Sequence, residues 1–238
     1  KARNYNSILE SFLKGDNIPN EVYENLVKAT RASTEPLKRY IKLRKEKLGL
    51  ENYFTFDRFL PLAKSNKKYS YEEGISLVKE AFKVMGEKYS KDTEYVMEEG
   101  VIDVFENEGK RGGAYSWGTY GTRPYIMLNY TEELNDVFTL AHELGHSMHS
   151  YYSNKEQSYA THNYTIFVAE VASTFNEHLL LDLLLKNTKD KNERIYILQQ
   201  AIDGLIATYY RQTLFADYEL QVHQIAEKGG AITAEVLN

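Results

Sequence analysis

The 238-residue sequence contains no cysteine. This absence excludes disulfide bonds and thiolate metal sites, and it fits a reducing compartment, so we predict a cytoplasmic location. The longest apolar run, around residues 179–185, carries Asp182 and is too short to span a bilayer, so we expect no membrane partner. Acidic residues outnumber basic ones by 34 to 29, which argues against nucleic acid as a partner.

Proline is also scarce, with four residues in the whole chain. Because proline ends or kinks helices, its scarcity predicts a mainly α fold with long helices. Apolar residues recur at helical spacing over residues 20–48, where Pro36 either begins a second helix or kinks the first. Further helices are predicted over residues 70–85, 91–100, 136–152, 163–186 and 192–228. Ser70 is expected to cap the first of these, with Glu73 completing a capping box.

Glycine is concentrated in one stretch, which differs in amino-acid composition from the rest of the chain. Residues 100–130 read "GVIDVFENEGKRGGAYSWGTYGTRPYIMLNY", with aromatic and β-branched residues around the five glycines from Gly109 to Gly121. This pattern predicts short strands over residues 115–117 and 125–130, joined by turns. The glycines match neither a phosphate-binding loop nor a dinucleotide fingerprint. We therefore expect three regions: helices over residues 1–100, a small sheet with a Gly-rich loop over 101–131, and helices over 132–238.

One of the predicted helices contains an HExxH motif, from His142 to His146. Positions i and i+4 of a helix lie on one face, so both imidazoles can bind one ion. Glu143 then lies beside the ion, where it can take a proton from metal-bound water. Imidazole and carboxylate ligands with one open position are the catalytic arrangement of zinc. We therefore expect one Zn²⁺ per chain.

Such a site needs a third protein ligand. A metzincin pattern is excluded, because His149 and Tyr152 stand where it requires Gly and His. A thermolysin-like spacing would place a glutamate where Ile166 stands. The nearest glutamate is Glu170, in a second predicted helix with apolar neighbours, where a buried carboxylate would need a partner.

The motif, the distance to Glu170 and the flanking sequence together resemble the thimet oligopeptidase and oligoendopeptidase F family of zinc metallopeptidases. The similarity is greatest to the oligoendopeptidase F branch, and the segments that carry it are "GKRGGAYSWGTYGTRPYIMLNY", "DVFTLAHELGHSMHS", "FVAEVASTFNEHLL" and "YYRQTLFADYELQVH". The resemblance implies a zincin-like helical catalytic domain with a small β-sheet beside the metal site. It also implies that residues 1–238 are part of one peptidase catalytic domain, and that the partners are oligopeptide substrates.

Position by position, the resemblance implies that His142, His146 and Glu170 are zinc ligands and that Glu143 is the catalytic base. The alternative is that the two histidines belong to the core and Glu170 is a solvated helix residue. Glu177, two turns beyond Glu170, is a candidate to accept the second N–H of a zinc-bound histidine. A surface or structural role is the alternative for Glu177.

The remaining histidines are expected to be packing residues and not ligands: His149, His162, His178 and His223. The Gly-rich stretch offers a candidate substrate site, because peptidases often bind a peptide as an added strand. Gly112, Gly113 and Ala114 would let its backbone approach closely, with Tyr115 beside it. An ordinary tight turn is the alternative.

The ends of the chain bear on what it can do. The sequence has no initiator methionine and opens on "KARNYNSILE", so we expect a piece of a longer protein that lacks N- and C-terminal parts. The resemblance puts an oxyanion-stabilising segment rich in Tyr and His after the last residues, "GGAITAEVLN", and that role is not assigned to Tyr209, Tyr210 or Tyr218. Two hypotheses stay open. One is a zinc-dependent endopeptidase of short oligopeptides; the other is a metal-stabilised helical binding module or a catalytically incomplete fragment.

Overall fold

A computed structural model describes residues 4–238 of the chain. These residues form two compact units, one of residues 4–62 with Leu198–Asn238 and the other of Ala63–Ile197. The fold is mainly α with one small sheet, which confirms the predicted fold class. Within residues 4–238, no helix combines the length and the hydropathy that crossing a bilayer requires.

The secondary structure of the described residues comprises ten α-helices and three strands. The helices are α1 (Ile8–Leu13), α2 (Asn20–Ala32), α3 (Glu35–Leu48), α4 (Tyr71–Phe82), α5 (Glu87–Val96), α6 (Leu134–Glu156), α7 (Ile166–Asn187), α8 (Lys191–Leu205), α9 (Gln212–Glu227) and α10 (Ala234–Leu237). The strands are β1 (Ile102–Asp103), β2 (Tyr115–Trp117) and β3 (Tyr125–Met127). A π-helical segment, Ile206–Arg211, joins α8 to α9.

Two sequence signals fix helix starts. Pro36 lies in the first turn of α3, so it begins a new helix and does not kink α2. Ser70 caps α4: its hydroxyl accepts from the Glu73 N–H at 3.2 Å, and the Glu73 carboxylate accepts from the Ser70 N–H at 2.9 Å. The capping box is therefore confirmed, and it satisfies two backbone donors that a helix start would otherwise leave unpaired.

Other predicted boundaries were wrong. The helix predicted over residues 91–100 is α5, which begins at Glu87 and ends at Val96. It starts directly after Gly86, whose φ of 93° only glycine adopts readily, and its polar first turn hides the start from apolar periodicity. α6 is longer than the predicted 136–152: a capping box between Glu133 and Asp136 starts it at Leu134, and it continues to Glu156. α7 begins at Ile166, three residues after the predicted start at residue 163.

The sheet has the order β1–β3–β2, so β2 is an edge strand. β1 runs parallel to β3 and β2 runs antiparallel to it, with Ser116 opposite Ile126. The strand predicted over residues 125–130 is shorter than expected, because only three residues of β2 pair with β3. β1, which pairs through only two residues, was not predicted.

The hydrogen-bond pattern shows which groups of β2 face its free edge. The Ile126 N–H donates to Val101 on the β1 side, so the next groups along β3, those of Tyr125 and Met127, face β2. In an antiparallel pair these positions alternate, so Ser116, opposite Ile126, forms a non-hydrogen-bonded pair. Its backbone N–H and C=O therefore point away from β3, toward the open edge of the sheet.

α6 is the central element of the unit Ala63–Ile197. It packs against α4, α5, α7, β2 and β3. Its apolar side chains are completely or almost completely buried: Val137, Leu140, Ala141, Leu144 and Met148. Because the core holds one face of this helix, the residues between these positions are fixed in orientation toward the sheet and α7.

Candidate metal centre

Two neighbouring helices bring three ligand-type side chains to one point. On α6, the Nε2 atoms of His142 and His146 lie 3.1 Å apart. From the second turn of α7, Glu170 directs its Oε2 atom to 3.2 Å from the first of these nitrogens and 3.4 Å from the second. Among residues 4–238 these three side chains form the one group of potential metal ligands whose donor atoms all converge in this way.

The dimensions of this group fit a zinc ion. Nitrogen and oxygen ligands bind zinc at about 2.0–2.2 Å, so in a tetrahedral site neighbouring ligand atoms lie about 3.3 Å apart. The three observed separations are 3.1, 3.2 and 3.4 Å. Two imidazoles and one carboxylate are also a donor set of catalytic zinc sites, in which the fourth position is left to water or substrate. The residues present therefore fit the metal.

The distance between α6 and α7 is set at Gly145, between the two histidines. A Cβ atom on this residue would lie 2.6 Å from the Ser173 Cα and 2.8 Å from the Ala172 carbonyl oxygen. The two helix backbones are therefore in direct contact, which only glycine permits. Glu170 precedes Ser173 by one turn, so this contact brings its carboxylate within reach of the imidazoles. Gly145 stands inside the HExxH motif, but no signal in the sequence alone marks it as the helix contact.

Each histidine has a further polar partner. The Nδ1 atom of His142 lies 2.6 Å from Oε1 of Glu177, the contact that a supporting role for Glu177 requires. A carboxylate at this position favours the tautomer in which Nε2 presents its lone pair to the centre. Burial lowers the pKa of His142, but the hydrogen bond and charge of Glu177 outweigh it, so the pKa is raised. Burial lowers the pKa of His146, which also hydrogen-bonds the backbone of Ala169.

Glu143 lies beside the three converging atoms and is only 6% exposed. Its carboxylate accepts a hydrogen bond from the Ser116 backbone, and burial raises its pKa to about 7, against the lowering effect of His142. In the described part of the chain, its Oε2 atom is buried and has no hydrogen-bond partner. Buried polar atoms are rarely left unpaired, so this oxygen marks a place for a ligand or a water.

Serine side chains tie the edge strand to the helix that carries the motif. The hydroxyls of Ser116 and Ser147 lie 2.8 Å apart, and Ser147 is completely buried one turn beyond Glu143. The small sheet therefore lies beside the candidate metal centre, as predicted. Because strand residues alternate between faces, Tyr115 and Trp117 point to the opposite, exposed face of β2.

The Gly-rich loop that leads into β2 is held by two polar side chains. The Asn129 amide donates to the carbonyl oxygens of Arg111 and Gly113, both at 2.9 Å. The Lys110 side chain is 7% exposed, and its ammonium pairs with Asp103 at 3.1 Å. The four predicted substrate-binding residues therefore lie in an anchored loop and at the start of the edge strand: Gly112, Gly113, Ala114 and Tyr115.

Three of the other histidines lie against aromatic rings. His149 stacks on Tyr164 with ring centroids 3.7 Å apart. His162 lies 4.9 Å from the ring of Tyr120, and His223 meets Phe12 edge-on at 6.5 Å. None of these three belongs to the converging group of His142, His146 and Glu170.

Comparison with known proteins identifies the family. The model of Peptidase family M3 matches residues 1–238. The chain belongs to this family. It is 44% identical over its whole length to Oligopeptidase PepF of Bacillus subtilis (strain 168) and 40% identical to the Oligoendopeptidase F homolog of Lactococcus lactis subsp. lactis (strain IL1403). The resemblance inferred from the sequence motifs is thus confirmed.

Solved M3-type structures share the fold. Oligoendopeptidase-F from Enterococcus faecium superimposes with a TM-score of 0.67 at 32% identity, over 98% of this chain and 34% of that one. A Chlamydophila abortus protein, provisionally described as a peptidase, gives a TM-score of 0.86 at 40% identity, over 98% and 39%. The chain spans 36% of the B. subtilis protein and 40% of the L. lactis protein.

Proposed function

We propose that the protein is a zinc-dependent metalloendopeptidase that hydrolyses peptide bonds in short oligopeptides. The observation that carries the proposal is the convergence of His142, His146 and Glu170 to separations of 3.1–3.4 Å, with the buried Glu143 beside them. Membership of Peptidase family M3 supports the reaction class. The names of the relatives, an oligopeptidase and an oligoendopeptidase F homolog, support the substrate class.

In this proposal His142, His146 and Glu170 hold one Zn²⁺ per chain. When bound, zinc supplies a Lewis acid that polarises a carbonyl group and lowers the pKa of a water molecule. Glu177 accepts a hydrogen bond from the Nδ1–H of His142 and so keeps the ring oriented with Nε2 toward the centre. Without this partner the imidazole could rotate or change tautomer, and the ligand would be lost part of the time.

Glu143 is the proposed catalytic base. The Ser116 backbone donates to this carboxylate, and Oε2 has no partner in the described residues, so Oε2 is the oxygen able to accept a proton from water. The oxygen of this water bonds to the carbonyl carbon of the substrate. The same carboxylic acid then gives its proton to the leaving amine nitrogen as the C–N bond breaks. Burial of Glu143 keeps bulk water away from the transferred proton.

The edge of β2 is the proposed substrate-binding surface. The Ser116 C=O points toward the free edge, where an extended peptide can pair with it, whereas the Ser116 N–H donates to Glu143; Ala114 directly precedes the strand. Gly112 and Gly113 have open space where a Cβ would stand, so a peptide backbone can approach closely. Tyr115 is exposed on the outer face of the strand, beside such a peptide.

The proposal applies to the intact protein, because the chain spans less than half of its relatives' length. We further propose that residues 1–238 are part of one peptidase catalytic domain and that the protein acts in the cytoplasm on oligopeptide substrates. Support for the location comes from the absence of cysteine.

The test is to measure the zinc content of the purified intact protein and its hydrolysis of a quenched fluorescent peptide, before and after chelation. We expect about one zinc per chain, loss of hydrolysis with loss of zinc, and recovery on adding zinc back. Zinc without hydrolysis would favour a metal-stabilised helical binding module. Hydrolysis that survives complete removal of metal would overturn the proposal.

A further inference from the structure

Ser173 is a completely buried hydroxyl that the reaction described above does not use. It lies on α7 one turn after Glu170, and its Oγ atom is 2.7 Å from Glu170 Oε2. It is also 3.1 Å from the backbone carbonyl oxygen of Glu170. Oε2 is the same carboxylate oxygen that faces the Nε2 atoms of His142 and His146.

Resting on the zinc site proposed above, we propose that Ser173 is a positioning residue that holds Glu170 as a one-oxygen metal ligand. A carboxylate oxygen has two lone pairs. The Ser173 hydroxyl donates to one lone pair of Oε2, which leaves the other for a cation between the imidazoles. This contact fixes the carboxylate with Oε2, and not Oε1, toward the histidines.

The glutamate needs such a restraint because its side chain is 62% exposed. An exposed glutamate samples several rotamers, and ordering it for metal binding costs conformational entropy. The hydroxyl of Ser173 supplies the restraint without competition from water, since Ser173 lies in the backbone contact between α6 and α7 at Gly145. The ligand is thereby oriented before the metal arrives.

One-oxygen coordination has a consequence for the choice of metal. Zinc favours four ligands in a tetrahedron, whereas larger oxygen-preferring ions take more ligands and accept carboxylates through both oxygens. A glutamate freed from Ser173 can turn and present both oxygens. Loss of the hydroxyl should therefore weaken zinc binding and reduce the preference for zinc over manganese.

Thr174 provides a matched control on the same helix. Its hydroxyl donates to the backbone carbonyl oxygen of Glu170 and makes no bond to the carboxylate. Thr174→Val removes this hydroxyl with little change in shape. Ser173→Ala and Thr174→Val thus differ in whether the carboxylate of Glu170 loses a partner.

The experiment measures zinc affinity of the intact apo-protein by competition with a chromophoric chelator. We expect Ser173→Ala to weaken zinc binding by about 10- to 100-fold, and Thr174→Val by no more than about threefold. Ser173→Cys nearly keeps the side-chain volume but donates only a weak hydrogen bond, so its zinc affinity should lie between those of Ser173→Ala and wild type. This variant replaces Ser173→Ala in the experiment if Ser173→Ala does not fold. Equal affinities for Ser173→Ala and Thr174→Val would overturn the role of Ser173.

A double-mutant cycle separates positioning from a general effect on folding. In a Glu170→Ala background, Ser173→Ala should change zinc affinity no further, because the group it positions is gone. An undiminished effect in that background would contradict the proposal. With cobalt in place of zinc, Ser173→Ala should lower the intensity of the visible absorption as the coordination number rises, and an unchanged spectrum would overturn one-oxygen coordination.

The failure of this inference differs from the failure of the proposed function. Wild-type protein that binds no zinc would overturn the metal site itself. Wild-type protein that binds one zinc per chain, with Ser173→Ala binding it equally well, would overturn only the role of Ser173.

Discussion

Gly145→Ala tests the helix contact that brings Glu170 to the histidines. The added methyl would lie 2.6 Å from the Ser173 Cα, 2.8 Å from the Ala172 carbonyl oxygen and 2.9 Å from the Asn176 side chain. Carbon atoms in favourable contact lie about 3.5–4.0 Å apart, so α7 must move away from α6 by about 1 Å. Two of the three neighbouring atoms belong to the backbone, so a change of rotamer cannot relieve the clash.

The consequence for the metal site is larger than the consequence for stability. Metal–ligand distances tolerate about ±0.2 Å, so a shift of about 1 Å one turn from Glu170 should lower zinc affinity on the order of 100-fold. Overpacking costs about 1–3 kcal/mol, and replacing a helical glycine by alanine offsets up to about 1 kcal/mol of this. We therefore expect Gly145→Ala to lower the free energy of unfolding by only about 0–2 kcal/mol.

Gly204→Ala, near the end of α8, is the control. A Cβ at Gly204 meets nothing within 4 Å, so this variant should gain up to about 1 kcal/mol of stability and keep its zinc affinity. Zinc competition and urea unfolding of both variants complete the assay. If Gly145→Ala bound zinc as tightly as wild type, the backbone contact would not set the position of the third ligand.

Three further changes have defined outcomes. Glu177→Gln keeps an oxygen that can accept a hydrogen bond from His142 but removes the negative charge, so zinc affinity should fall about tenfold in the same competition assay. Unchanged zinc affinity would exclude a supporting role for Glu177. Leu140→Ala, at a completely buried position, should lower the free energy of unfolding in urea by about 2–5 kcal/mol, and a loss near zero would contradict the packing described for α6. The hydrogen bond from Lys88 is the largest effect lowering the pKa of Asp92, so the stability that this carboxylate contributes at neutral pH should be lost as pH falls through and below the ordinary value of 3.8. The destabilisation caused by Asp92→Asn, measured by urea unfolding, should therefore shrink over that pH range. A destabilisation independent of pH would refute the linkage.

Local signals predicted much of the fold. The capping box of Ser70 and Glu73 is decided within a few residues, so sequence was enough to place it, whereas Pro36 left two alternatives open until the structure placed it in the first turn of α3. Sequence was also enough for the helical spacing of His142 and His146, because i and i+4 share a helix face. The helix α5 was misplaced since its first turn is polar and carries no apolar period.

The parts that sequence could not supply depend on contacts between elements. Sequence named Glu170 as the nearest glutamate, but its role as a ligand came from the family resemblance, because its 24-residue separation from His146 says nothing about distance in space without the packing of α7 on α6. The roles of Gly145 and Ser173 emerge only when the two backbones are seen in contact. β1 was missed because two residues that pair with a distant strand leave no period to detect.

Glu143→Gln in the intact protein tests whether Glu143 moves the proton in a zinc-dependent hydrolysis. Glutamine keeps the size of the side chain and an oxygen able to accept from the Ser116 backbone, but it cannot act as a base. The measurement is zinc content and peptide hydrolysis of the same preparation. We expect about one zinc per chain with hydrolysis slowed by at least about 100-fold, whereas zinc retained with undiminished hydrolysis would refute this role of Glu143.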